Sequence, residues 1–188
     1  MAKIQEFISE VKTQGLARSN RFIVELSASA MAKQSVVKKA LLFCDSAQLP
    51  GISYATAQNR SFGEFREIPY DKLYEPVTLS FYVDRDMQVK TLFDNWIHQI
   101  QNPSTRTFEY YNRYTTQMKI EVQDLNDKSK YVVELHECYP KSVSSVSLSS
   151  ESKDAMKMSV TFQYKYWTST NLQQLPNGQK LSTASLNT

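Results

Sequence analysis

The sequence predicts a mainly β protein, an antiparallel β-sandwich or barrel with one flanking α-helix and a short N-terminal helix. Three observations carry this. Apolar residues recur at every second position in several short stretches, which is the period of a strand with one buried face. One stretch, over residues 89–100, places Val89, Leu92, Phe93, Trp96, Ile97 and Ile100 at three- and four-residue spacing, a wide helical stripe. No repeat of twenty to fifty residues and no glycine-rich phosphate loop is visible; the chain has only 4 glycines.

Residues 75–103 organise the rest. Val77, Leu79, Phe81 and Val83 alternate with Thr78, Ser80 and Tyr82 as a strand. Asp84-Arg85-Asp86 breaks that pattern, and Asp86 is placed to cap the helix that follows. Asn102-Pro103 fits its stop. Such a stripe needs a sheet to cover, and the remaining strands supply one.

Taken in order, Ile4, Phe7, Ile8 and Val11 share one face of a short helix that Gly15 stops. Phe22, Val24 and Leu26 share a strand face. Residues 27–39 read as a long connection, and residues 38–45, with Leu41, Leu42, Phe43 and Cys44, as the partner strand. Leu49-Pro50-Gly51 forces a turn. Residues 52–75 mix aromatic residues with charges of both signs around Pro69, and read as an extended excursion or loose hairpin. Met118, Ile120 and Val122 pair with Tyr131, Val133 and Leu135 across the turn Asn126-Asp127-Lys128-Ser129, and Tyr139-Pro140 closes this hairpin. Val143, Val146 and Leu148 fall in a serine-rich strand or edge. After a turn at residues 151–154, Met156, Met158, Val160, Phe162, Tyr164 and Tyr166 form the longest alternation. The organisation is therefore an N-terminal helical arm (1–14), a β domain (15–168) and a flexible polar tail (169–188).

Composition narrows the function. At 188 residues the chain builds a core without staples. A formal net charge of +3 is too small to mark a nucleic-acid binder. No apolar run is long enough to span a bilayer, and Cys44 and Cys138 read as buried free thiols in a reducing compartment. His136-Glu137-Cys138 is the densest cluster of ligand-type residues. Strand parity lets only His136 and Cys138 converge, too few for a structural zinc site. Asp84 and Asp86 read as cap and turn rather than an acid–base pair. Arg106, Arg113 and Lys119 with Tyr110, Tyr111 and Tyr114 have the residue types of a stacking surface for nucleic acid, diluted by Glu109 and Glu121. No nucleophile elbow or cofactor motif is present, so the residues call for no cofactor and no catalysis.

Five stretches then combine: residues 15–25 (GLARSNRFIVE), residues 44–51 (CDSAQLPG), Phe93-Asp94-Asn95-Trp96, Glu137-Cys138-Tyr139-Pro140, and residues 160–167 (VTFQYKYW). In this order and spacing, over residues 15–167, the chain resembles the tail-tube proteins of contractile-tailed bacteriophages, whose relatives occur in type VI secretion. The resemblance implies homohexameric rings stacked into a tube inside a contractile sheath. The lumen would pass double-stranded DNA, without sequence-specific binding, and the tape-measure protein. It implies a virion location after assembly in the host cytoplasm, with sheath, baseplate tube initiator and tape-measure protein as partners and no membrane.

Two sets of residues follow. The excursion, through Arg60, Phe62, Glu64, Phe65, Arg66, Glu67, Tyr70, Leu73 and Tyr74, is assigned to ring stacking. The polar strand faces, through Lys119, Glu121, Gln123, Glu134, His136, Lys157, Thr161, Gln163 and Lys165, with Ser159, are assigned to the lumen. Residues 27–39 and the polar tail depart from the simple tube pattern. A baseplate tube initiator of the same fold and a small-ligand-binding barrel remain alternatives, with a cysteine or metal enzyme behind them.

Overall fold

The computed structural model describes residues 2–27, 34–60, 63–151 and 154–169. The elements are α1 (Ala2–Gln14), β1 (Phe22–Leu26), α2 (Gln34–Leu42), β2 (Cys44–Ala47), β3 (Ile52–Asn59), β4 (Arg66–Tyr74), β5 (Val77–Tyr82), α3 (Gln88–Ile100), α4 (Tyr111–Tyr114), β6 (Thr116–Gln123), β7 (Ser129–Val143), β8 (Lys157–Gln163) and β9 (Tyr166–Ser169). The main sheet follows the path β1-β6-β7-β8-β5-β2, with β9 also paired to β7 and every pair antiparallel. The hairpin β3-β4 forms a separate two-stranded sheet.

Alternation decides which face is buried. Val77, Leu79 and Phe81 on β5, Met158, Val160 and Phe162 on β8, Met118 and Ile120 on β6, and Val133 and Leu135 on β7 all point into one core. Helix α3 closes it with Val89, Leu92, Phe93 and Trp96. The Phe93 ring lies 5.0 Å from Phe81 and 6.0 Å from Phe162, and Trp96 packs edge-on to Phe162 at 6.2 Å. The Trp96 indole N–H donates to the Tyr114 carbonyl at 2.9 Å, so its polar atom is satisfied inside an apolar contact. The expected mainly antiparallel β-architecture with α3 flanking it is what the structure contains.

β7 shapes the sheet. Its first half pairs with β6 on one side and β9 on the other, and its second half with β8. The change falls around Glu137, which has φ 53. This irregularity reverses the parity expected from the sequence. His136 stays on the outer face, stacked on Tyr166 at 4.5 Å, while Cys138 is fully buried. The expected convergence of His136 and Cys138 is therefore wrong. Tyr166 does not continue the inward alternation of β8 either; inward positions resume at Trp167, opposite Leu135. Nor does Tyr139-Pro140 end the strand. Pro140 sits inside β7 opposite Phe162, where the strand has lost β6 as a partner and one edge carries no ladder.

Other expectations are corrected locally. Residues 38–45 are not one strand, because Val36, Val37, Ala40 and Leu41 have helical spacing. They make α2, with Val37 and Ala40 in the core, before β2 begins at Cys44. Cys44 is half-buried rather than set within an apolar strand. Residues 144–148 follow β7 without being strand, and Leu148 is exposed. Residues 28–33, 152–153 and the polar tail from 170 onward lie outside the described residues.

The start of α3 is capped by Asp84, not Asp86. Met87 occupies the position before the helix in a left-handed conformation, φ 56, and offers no side-chain cap. The Asp84 carboxylate reaches over it to accept the Val89 N–H at 3.1 Å, and its other oxygen faces the Lys39 ammonium at 3.4 Å. Desolvation opposes its ionisation, but the Val89 N–H and Lys39 outweigh this and hold the carboxyl below its ordinary value of 3.8.

Replacing Trp96 by Ala is expected to cost about 3–5 kcal/mol. The melting temperature should fall by roughly 6–20 °C for a chain of this size; an unchanged melt would show that α3 is not docked through Trp96. For Asp84, the lowered folded pKa means its contribution is present above the unfolded value and is lost as pH falls through the folded one. The melting-temperature gap between wild type and Asp84→Ala should be wide at pH 7 and narrow steadily below about pH 4. A gap independent of pH would contradict this role.

Candidate functional site

The residues expected to carry function occupy two surfaces, both outside the core. The first is the outer face of the main sheet. On β1, β6 and β7, Glu25, Lys119 and Glu134 stand opposite one another in register, and Thr168 of β9 continues the row. Lys119 also pairs with Glu121 on its own strand, and Glu121 accepts from the Ser129 hydroxyl. The Glu121 hydrogen bond, aided by Glu25 and Glu134, raises the Lys119 pKa; Lys119, with Ser129, lowers that of Glu121. His136 contacts the Thr168 hydroxyl at 3.0 Å. Gln123 is half-buried at the end of β6, where its backbone N–H donates to the Arg21 carbonyl at 3.0 Å.

On β8 and β5 the same face carries hydroxyl pairs. Thr161 meets Thr78 and Ser159 meets Ser80, each at 3.3 Å. Lys157 binds Asp45 at 2.8 Å and lies over the Tyr82 ring at 4.5 Å. Lys165 binds Glu137 at 3.0 Å. Gln163 is half-buried between these groups and the β9 corner. Each lysine assigned from the sequence is thus held by a carboxylate on the same surface. The structure puts the assigned polar residues together as one mixed face, and adds Glu25. Strand parity alone indicates that Glu25 points outward; its meeting with Lys119 needed the register.

The second surface is the hairpin. Residues 52–59 and 66–74 pair as a regular ladder rather than a loose one, broken by one extra residue, Tyr70, where the register passes from Ala55↔Asp71 to Thr56↔Pro69. Phe65 is 61% and Tyr70 71% exposed, and Tyr54, Ile68 and Leu73 are exposed too. The Arg60 guanidinium lies over the Phe65 ring at 4.9 Å. Glu67 pairs with Gln58 and Arg66 with Asn59, so these charges run along the distal half, and Glu64 follows Gly63 near the tip. Phe62 lies outside the described residues. Tyr74 differs from the others, because its ring packs edge-on to Tyr164 at 6.0 Å. The Tyr164 hydroxyl donates to the Glu75 carbonyl at 2.7 Å, which pins the base of the hairpin to the body. Tyr54 and Ile68 belong to the exposed apolar set as well. Their signal, large side chains in a segment with no buried face, was present in the sequence.

The groups with catalytic or ligand potential are not assembled. Among the described residues no group of three His, Cys, Asp or Glu is arranged to hold a metal. Burial and the neighbouring Asp45 push the Cys44 thiol up to about 11, and burial raises Cys138 further. Tyr111, Tyr114 and Tyr139 pack on one another edge-on at 5.5–6.4 Å, with Arg113 on Glu109, while Lys119 stands on the sheet away from them. The tyrosines and basic residues therefore do not form one stacking surface.

The fold has counterparts among solved structures. A chain of an extracellular contractile injection system, from a sheath–tube complex in the extended state, superposes with a TM-score of 0.62 at 19% identity, over 86% of this chain and 95% of that one. A chain of the anti-feeding prophage tube-terminating cap gives 0.62 at 20% identity, over 83% and 91%. A chain of the anti-feeding prophage baseplate gives 0.58 at 12%, over 82% and 95%. At these identities the likeness is one of fold. No curated protein matches the sequence. The family model described as phage tail tube protein matches residues 17–170, which takes in the whole sheet, α3 and the hairpin. The chain belongs to the phage tail tube protein family.

Proposed function

We propose that this chain is the main subunit of the inner tube of a contractile tail. It assembles in the host cytoplasm into homohexameric rings that stack within a sheath on a baseplate initiator. The finished virion tail then conducts double-stranded DNA, with the tape-measure protein filling the lumen first. The observation that carries the reading is the hairpin β3-β4. It projects a ladder with exposed Tyr54, Phe65, Ile68 and Tyr70, a larger apolar display than an isolated two-stranded sheet sustains in water. Identical neighbours supply the cover. Aromatic anchors at the hairpin would hold the next ring, and Arg60, Glu64, Arg66 and Glu67 would set register.

Two further features support it. β1 and β2 end the sheet path, so each carries a ladder on one side only, and closure into a ring removes such edges. The polar face suits the lumen because Lys119, Lys157 and Lys165 are each already paired with a carboxylate. A wall of this kind does not release counterions from passing phosphates and so does not grip DNA. The interior beneath α3 is filled by Phe81, Phe93, Phe162 and Met158, which argues against the ligand-binding barrel. The family model names the tube protein itself, which favours the main tube over an initiator.

Purified protein viewed by electron microscopy should form rings or tubes; compact monomers at all concentrations would overturn the reading. A Phe65→Ala/Tyr70→Ala variant should keep the wild-type melting temperature to within a few degrees, because both side chains are exposed, yet fail to elongate tubes beyond single rings. Normal tubes from that variant would remove the hairpin from ring stacking.

A further inference from the structure

The main sheet departs from a regular ladder at two places that each deliver a carboxylate to a lysine. On β2 the register passes from Cys44↔Phe81 to Ser46↔Ser80, so Asp45 is an extra residue with no opposite number on β5. Its carboxylate accepts from the Lys157 ammonium at 2.8 Å, across 112 residues of sequence. Hydrogen bonding to Asp45 raises the Lys157 pKa. On β7 the break falls at Glu137, whose φ of 53 persists only where its surroundings hold it. The Glu137 carboxylate accepts from the Lys165 ammonium at 3.0 Å, and the Tyr111 hydroxyl donates to the same carboxylate. Beside it, the Lys165 backbone N–H donates to the His136 carbonyl at 3.1 Å.

These two pairs differ from the rest of the polar face in having no substitute. Lys119 touches Glu121 on its own strand and stands in register between Glu25 and Glu134, so three carboxylates surround it. At the β6-β7 turn, Arg21 is held by Asp127 and Lys130 by Asp124. Lys157 and Lys165 each have a single carboxylate among the described residues. Lys141, on the extra residue of β7 between Pro140 and Ser142, forms no ion pair among the described residues and is a constant background. The Lys157 side chain is 50% and that of Lys165 62% exposed, so both ammonium groups are open to solvent. A lysine in a charge-assisted hydrogen bond already has the anion that a phosphate would supply. Without that anion it is free to bind a polyanion and release its counterions.

We infer that Asp45 and Glu137, aimed by these two irregularities, are the residues that keep the wall from holding DNA, because each cancels a lysine that no second carboxylate covers. The inference rests on the tube reading, which puts this face in the lumen. It adds to that reading two residues outside the assigned lumen set. It also makes local pairing, rather than the total charge of the face, the property that decides release.

The test assembles full-length protein into tubes in the presence of a short fluorescent DNA duplex at low ionic strength, adds nuclease and sediments the tubes. Duplex held in the lumen is protected, and duplex that diffuses out is digested. Two double variants lose the same charge. Asp45→Asn/Glu137→Gln frees Lys157 and Lys165, whereas Glu25→Gln/Glu134→Gln leaves Lys119 on Glu121. The first should retain several-fold more protected duplex than wild type and lose it steeply as salt is added; the second should stay near wild type. Adding Lys157→Gln/Lys165→Gln to the first should return retention to the wild-type level. Equal retention by the two double variants would make total charge decisive and overturn the inference. So would a first variant that retains no more than wild type, or one that keeps its duplex once both lysines are gone. Variant tubes that bind duplex only where nuclease reaches it overturn the lumen assignment of this face, and the inference with it. Wild-type protein that forms neither rings nor tubes overturns the tube reading itself. Exposed ion pairs contribute little to stability, so every variant should melt within a few degrees of wild type. Where Glu137→Gln fails to assemble, Asp45→Asn against Glu25→Gln makes the same comparison.

Discussion

The packing of α3 on the inner sheet face is the contact on which the rest of the structure depends. Phe93 sits between Phe81 and Phe162, and Trp96 extends the contact to β8 and, through its indole N–H, to α4. Burying each Val, Leu or Phe of this stripe contributes about 1.5–3 kcal/mol. It also assigns the two faces of the sheet: once α3 covers one, the alternating polar residues of β5, β6, β7 and β8 must all lie on the other. The mixed polar surface is therefore a by-product of where the core is. It needs no separate device to hold it in place.

The second constraint is β7. A strand of 15 residues serves three partners because its course is broken at Glu137. The break lets the sheet curl from the β1-β6 half to the β8-β5-β2 half without a second crossover. It also moves Cys138 inward while His136 remains outside. The Cys138 thiol and the His136 imidazole, two residues apart, are thereby placed on opposite sides of the sheet and cannot share a ligand.

Curling the sheet leaves unfinished business at its margins. β1 and β2 are edges, the hairpin stands off the body on a base pinned by Tyr164, and α1 leaves Ile4, Phe7 and Ile8 exposed. Each of these would be a liability in a protein meant to remain a monomer. They are the surfaces on which the proposed assembly rests.

What the sequence determined by itself was the periodicity, and with it the faces. The inward residues of β1, β5, β6, β8 and the first half of β7, the stripe of α3 and the Gly15 stop of α1 were all legible, because each depends only on a local period of two or 3.6. So was the family, through ordered motifs spread along residues 15–167. Tertiary structure decided whatever depended on a partner distant in sequence. Residues 34–42 are helix because Val37 and Ala40 find the core, although Leu41-Leu42-Phe43 reads equally as strand. Asp84 caps α3 instead of Asp86 because Met87 takes a left-handed turn and Lys39 arrives from α2. The polar surface became a paired one only when register set Lys119 among Glu25, Glu121 and Glu134, and brought Asp45 to Lys157. A local period specifies which way a side chain points. Which side chain it meets is set by loop closures of tens of residues, and those follow from the global packing of the sheet.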